Sequence, residues 1–153
     1  KELKMQGIYD HIWSSLVVFC QQRITALKAA GVSSDLIFYD FDSFSANQEF
    51  PASDLLGLQG LGIDSNARLL YISVNFMVSS KNDDTYLTRH RAILSHMFDQ
   101  LAYEKTIDLV NAQTGKVIGT LGVSEGASVI PIVRSYSRSL QGLSVEFLCT
   151  VSL

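Results

Sequence analysis

The chain has 153 residues, 47% of them apolar and 18% charged, with two prolines and ten glycines; this excludes a disordered chain and fits one globular domain over 1–153. A domain of this length buries roughly 70% of the surface its unfolded chain exposes, enough for a core without disulfide or metal staples. Twelve Lys and Arg against fifteen Asp and Glu give a formal charge of −3, which argues against a nucleic-acid reader built on a basic face.

From Met5 to Ala30, apolar residues recur at Met5, Ile8, Tyr9, Ile12, Trp13, Leu16, Phe19, Cys20, Ile24 and Leu27, the period of a helix. Gly31 follows where a C-terminal cap belongs, with Lys28 in the last turn. Asp35 to Phe44 is rich in branched and aromatic residues and predicts a strand. Ser45 to Asn66, with Pro51, Gly57, Gly60 and Gly62 among leucines, predicts an irregular, partly packed excursion with one helical turn near Ser53 to Leu56. Arg68 to Ser79 alternates, Leu70, Ile72, Val74, Phe76 and Val78 on one face and Tyr71, Ser73 and Asn75 on the other, so a half-buried strand is expected.

A polar connection then leads into a helix from about Asp84 to Tyr103, with Leu87, His90, Leu94, Met97, Phe98 and Leu101 on its stripe. Lys105 to Val110 is ambiguous, Gln113 to Lys116 reads as a turn, and Gly119 to Gly126 reads as flexible or hairpin-like. Two last strands are expected at Val129 to Arg138 and Leu143 to Leu153, joined at Ser139 to Gly142, with Leu143, Val145, Phe147, Cys149 and Val151 forming a core-facing row. The order α-β-β-α-β-β implies an α+β fold, two helices packed on a mainly antiparallel sheet.

Cys20 and Cys149 sit in apolar stretches and are expected as free core thiols, which fits cytosolic assembly better than secretion. The apolar run Ile12 to Cys20 is far below the ~20 residues of a membrane helix, so no membrane partner is expected. Lys1 and Lys4 precede an amphipathic segment without a small-residue cleavage site, so no signal peptide is expected; the opening on Lys1 leaves room for a missing initiator region.

Candidate chemistry is sparse. Gly122-Val123-Ser124-Glu125-Gly126 matches the G-x-S-x-G pattern of a nucleophile elbow, but a strand rather than a helix is expected after it and no HGGG-type loop exists. His90 and His96 are about 600° apart around a helix and cannot converge on a metal, and His11 is expected at the polar edge of the first helix. Arg89, His90, Arg91, Arg134 and Arg138 read as ion-pair partners rather than a nucleic-acid footprint. Gly57, Gly60 and Gly62 lack the G-K-[ST] ending of a phosphate loop. No catalytic residue, cofactor or metal is therefore expected, and the chain does not read as an enzyme.

One charge feature is less bland. No basic residue occurs between Lys28 and Arg68, while Asp35, Asp40, Asp42, Glu49, Asp54 and Asp64 supply six acids. Asp40 and Asp42 are expected on one strand face. Such a segment is a solvated face, a surface for a basic partner, or a surface that repels phosphates.

The chain resembles the bacteriophage tail-terminator, or tail-completion, proteins. The likeness lies in the amphipathic N-terminal helix, Phe38-Tyr39-Asp40, Phe50-Pro51-Ala52, the strand Leu70-Tyr71-Ile72-Ser73-Val74-Asn75-Phe76 with its turn and helix from Asp83 to Phe98, and the paired ends Arg134 to Arg138 and Leu143 to Leu153. The resemblance implies a non-enzymatic virion protein of the tail neck, assembled in the host cytoplasm. It would form a homo-oligomeric ring, usually a hexamer, that caps the head-proximal end of the tail tube, ends its polymerisation and supports joining to the head-tail connector protein, with DNA passing through unbound. Asp40, Asp42, Glu49 and Asp54 are then the candidates for a lumen or partner surface. The alternative is a small-molecule- or peptide-binding α+β regulatory domain.

Overall fold

The computed structural model describes residues 7–43, 50–66, 69–134 and 138–151. Met5, Phe44, Glu49, Arg68, Leu153 and the 135–137 stretch, on which several expectations fall, lie outside the described residues.

Helix α1 (Ile8–Ala29) buries Ile12, Leu16, Phe19, Cys20, Ile24 and Leu27 along one stripe. Its end is a Schellman cap: Gly31 has φ 76°, Val32 N–H donates to Leu27 C=O and Gly31 N–H to Lys28 C=O, each at 3.0 Å. Strand β1 (Ile37–Asp40) is shorter than expected, because Phe41–Ser43 turn into a 3-10 helix. Asp40 causes the break: its carboxylate accepts Asp42 N–H at 3.0 Å and its carbonyl accepts Ser43 Oγ–H at 2.7 Å. Asp40 and Asp42 therefore do not share a strand face.

The irregular excursion with a helical turn is overturned by strand β2 (Leu55–Asn66). Its glycines serve close approach at Gly57 and a left-handed backbone at Gly60. Gly57 lies beside Tyr39 of β1, where a Cβ would fall 1.6 Å from the Tyr39 carbonyl oxygen, and Gly60, at φ 67°, sits in the register shift between Gln59 and Gly62. Strand β3 (Leu69–Lys81) buries Leu70, Ile72, Val74, Phe76 and Val78 as its alternation predicts, and runs on through Ser80 and Lys81, which pair with Ser139 and Arg138.

Helix α2 (Tyr86–Gln100) buries His90, Ile93 and Met97, but Phe98, expected on the stripe, is 44% exposed. Strands β4 (Thr106–Val110) and β5 (Val117–Val123) form an antiparallel hairpin around the expected turn, so of the two readings of Gly119 to Gly126, flexible or hairpin-like, the part up to Val123 is hairpin. Two short strands, β6 (Ser128–Val129) and β7 (Val133–Arg134), replace the single strand expected there. The expected joint at Ser139 to Gly142 lies inside β8 (Arg138–Val151). Gly142 is there for packing, since a Cβ would meet Met77 Sδ at 2.6 Å. Leu143, Val145, Phe147 and Cys149 are buried and Val151 partly so, the row that period two predicts.

The sheet runs β1-β2-β3-β8-β5-β4, with β6 and β7 also on β8. It is mixed: β1 and β2 are parallel and the other pairs antiparallel. With two α-helices among the described residues and the sheet curled into a half-barrel, the class is α+β. Among the described residues the element order is α-β-β-β-α-β-β-β-β-β rather than α-β-β-α-β-β: glycine-bearing β2 and the hairpin β4–β5 add three strands, and the split of the 128–134 region adds a fourth. One sheet face carries the main core under the helices, where Phe76 packs edge-on against Phe19 and Phe147 at 5.7 and 6.3 Å. On the other, Phe41, Leu55 and Met77 form a second cluster with Tyr39, Phe50 and Leu140. Cys20 and Cys149 are buried free thiols, and burial pushes both up from the ordinary thiol range. Among the described residues, no helix is long and apolar enough to cross a membrane.

Candidate functional site

The acidic segment divides into an interior part and a surface part. Asp54, just ahead of β2, is wholly buried. Its carboxylate accepts Arg89 Nε–H at 2.8 Å, Arg89 Nη2–H at 3.3 Å, Ser33 Oγ–H at 2.7 Å and Lys81 N–H at 3.2 Å. Arg89 also reaches Asp83 Oδ1 and Thr85 Oγ1, both at 2.7 Å. Asp35 pairs with Lys81. Two of the six acids are thus neutralised by cations from β3 and α2, and Asp54 is removed from the candidate lumen or partner surface, because it joins elements inside the fold.

The electrostatics follow these contacts. Burial alone would raise the Asp35 carboxyl, but the Lys81 hydrogen bond and charge outweigh it and hold the group below the usual carboxylate range. The Arg89 hydrogen bond lowers Asp83, and the hydrogen bond to Asp54 raises Arg89.

Asp40 and Asp42 form the surface part. Asp42 is exposed and accepts Gly60 N–H at 3.0 and 3.1 Å, pinning the irregular point of β2, and Asp40 is half-buried at the end of edge strand β1. Neither has a cationic partner among the described residues. Glu49 lies outside the described residues, and Asp64 is exposed on β2.

Among the described side chains, Arg89, Arg91 and Arg138 have different surroundings, and the Arg134 side chain lies outside them. Arg138 is 6% exposed, donates to Ser79 Oγ at 2.8 Å and to the carbonyls of Pro51 and Ser53, and stacks 5.6 Å from the Phe50 ring centroid. Burial lowers it, against the opposing pull of Asp54 and Asp35. Arg89 is the ion-pair partner expected; Arg138 works chiefly through carbonyls. Arg91 is exposed beside Leu94, Phe98 and Val129.

The histidines occupy three separate places. His90 is buried between Ser80 Oγ at 3.1 Å and Gln141 Oε1 at 2.9 Å. His11, expected at a polar helix edge, is 9% exposed and accepts Ala112 N–H on Nδ1 at 2.9 Å. Burial lowers His96, and the nearby Arg23 charge adds to this. Among the described residues, no group of three His, Cys, Asp or Glu side chains could hold a metal. Ser124 follows β5 and turns its N–H and hydroxyl onto Glu146 C=O at 3.0 and 3.1 Å, a sheet continuation rather than a strained elbow.

Sequence reasoning missed a groove between α1 and β4. Ser15 Oγ accepts Val110 N–H at 2.8 Å and donates to His11 C=O at 2.6 Å, so α1 covers part of the β4 edge. Further along lies a cavity of about 220 Å³ walled by Phe19, Gln22, Arg23, Gln100, Thr106 and Asp108. The available signal was Ser15, a hydroxyl on the buried stripe of α1. Set against known families and curated proteins, the chain matches no family model and no curated protein.

Proposed function

We propose that this protein is a structural subunit of a phage tail neck, a ring that caps the head-proximal end of the tail tube, ends its polymerisation and supports joining to the head connector. The observation that carries the reading is the pair Asp40 and Asp42 at the end of an edge strand, two carboxylates without a cationic partner among the described residues. Carboxylates around a passage repel phosphates and release no counterions, which lets DNA move through a ring without adhering. The resemblance in Phe38-Tyr39-Asp40 and Phe50-Pro51-Ala52 adds to this, and both segments meet in one aromatic cluster, with Phe50 5.6 Å from Tyr39 and 5.8 Å from Phe41.

The test is assembly. Light scattering and electron microscopy, alone and with purified tail-tube protein, should show a closed ring of copies seated on tube ends and tubes that stop lengthening. A protein that stays monomeric with the tube protein and leaves tube growth unchanged overturns the reading.

A further inference from the structure

We infer that the β4 edge at Thr106 and Asp108 is a strand-addition site for an extended peptide segment bearing a carboxylate side chain, with Arg23 as its ionic partner.

The hydrogen-bond phase of β4 decides which groups face outward. Val123 N–H donates to Lys105 C=O at 2.9 Å, and the register pairs Ile107 with Leu121 and Leu109 with Gly119. In an antiparallel ladder the hydrogen-bonded pairs alternate, so Ile107 and Leu109 bond to β5 while Thr106, Asp108 and Val110 turn their N–H and C=O groups away. Among the described residues, no further strand lies beyond β4 in the sheet order.

That edge is only half covered. Ser15 takes the Val110 N–H and His11 takes the Ala112 N–H, the kind of shielding that edge strands commonly carry. Among the described residues nothing does the same for Thr106 and Asp108, which border the cavity beside α1. The open length suits a short segment and ends where Ser15 begins.

Arg23 sets the chemistry of the occupant. It lines the same cavity, its Nε is buried with no hydrogen-bond partner, and no carboxylate lies within ion-pair distance among the described residues. Its guanidinium stands 5.6 Å from the Phe19 ring centroid, which fixes its position over the groove. Arg23 as a whole is half-buried, so a carboxylate entering the cavity can reach the accessible part of its guanidinium with a charge-assisted hydrogen bond, while the Nε itself is closed to solvent. Val18, 40% exposed on the same wall, offers an apolar contact to a neighbouring side chain of the segment. Main-chain pairing gives affinity in this mode and side-chain contacts give selectivity.

The inference does not rest on the ring reading and is tested on the isolated chain. The probes are two capped hexapeptides, one alternating valine with glutamate and one alternating valine with lysine, added to the isotope-labelled protein. The glutamate peptide should slow hydrogen exchange at the Thr106 and Asp108 amides, shift the Arg23 Nε–H signal, and bind about tenfold or more tighter than the lysine peptide. Arg23→Gln should remove that preference. Asp108→Pro should abolish binding, because proline deletes an outward N–H and leaves the bonds to β5 in place; Arg23→Gln carries the test should that variant unfold. Failure of the glutamate peptide to bind at millimolar concentration, equal binding of both peptides, or an unchanged preference in Arg23→Gln overturns the inference. So does protection of the two amides without peptide in a protein whose mass rises with concentration, which would mean that a second copy occupies the edge.

Discussion

Arg89 of α2 reaches across to Asp54 ahead of β2, its Nε 2.8 Å from Oδ2 of a carboxylate with no solvent exposure. Removing one partner of such a pair strands the other's charge out of water. Arg89→Ala should therefore cost about 3–5 kcal/mol in urea unfolding, much more than an exposed ion pair contributes. A loss below ~1 kcal/mol would mean that water reaches Asp54.

Acid should weaken the fold through Asp35 and Asp83. Both carboxyls are held below the ordinary value of 3.8, so their contribution is complete above that value and is lost as pH falls through the lower folded values. Urea midpoints followed from about pH 6 to about pH 2 should fall, and Lys81→Met should flatten part of the decline. An identical pH profile in Lys81→Met would exclude Asp35 as a source.

Phe147 packs at 6.3 Å from Phe76 with no exposure, so Phe147→Ala should cost about 3–5 kcal/mol in equilibrium unfolding. A loss below ~1 kcal/mol would mean that the surrounding side chains collapse into the space.

The row containing Phe147 was legible because each residue's burial follows from its own neighbours in sequence, as it does for Leu70 to Val78 and the stripe of α1. Gly57 and Gly142 misled because a glycine marks a turn or a close approach with equal right, and only the partner strand, carrying Tyr39 or Met77, decides between them. Asp54 was misread for a related reason: its cation comes from Arg89, 35 residues later, and no local pattern reports that pairing. The β4 groove was illegible, since it depends on Ser15 meeting Val110, 95 residues away.

Gly57→Ala should detach β1. The added methyl would stand 1.6 Å from the Tyr39 carbonyl oxygen, whereas Gly115→Ala meets nothing within 4 Å and bears only the strain of a φ of 72°. The first variant should lose about 1–3 kcal/mol or more and speed hydrogen exchange over Ile37–Asp40; the second should lose about 1 kcal/mol. Equal losses would place the cost in backbone conformation alone.

The proposed lumen makes a charge-reversal prediction. Asp40→Lys combined with Asp42→Asn should leave ring assembly intact and slow genome ejection, with the defect eased as salt shortens the screening length. Tail joining that fails at every salt concentration would instead place these residues against a protein partner. Normal joining and normal ejection would leave them a solvated acidic face.

Strand β8 comes last among the described elements yet lies between β3 and β5, pairing with β3 from Leu70 to Lys81 and with β5 from Gly119 to Val123. During synthesis, the sheet made by β1, β2 and β3 and the hairpin made by β4 and β5 must each wait with a raw edge until that strand leaves the ribosome. Its pairings span long loops, whose closure entropy is met before the contacts form, so folding should be slow for the protein's size. Chains cut short before Arg138 would be left as two sheet fragments with exposed ladders, open to strand pairing between molecules.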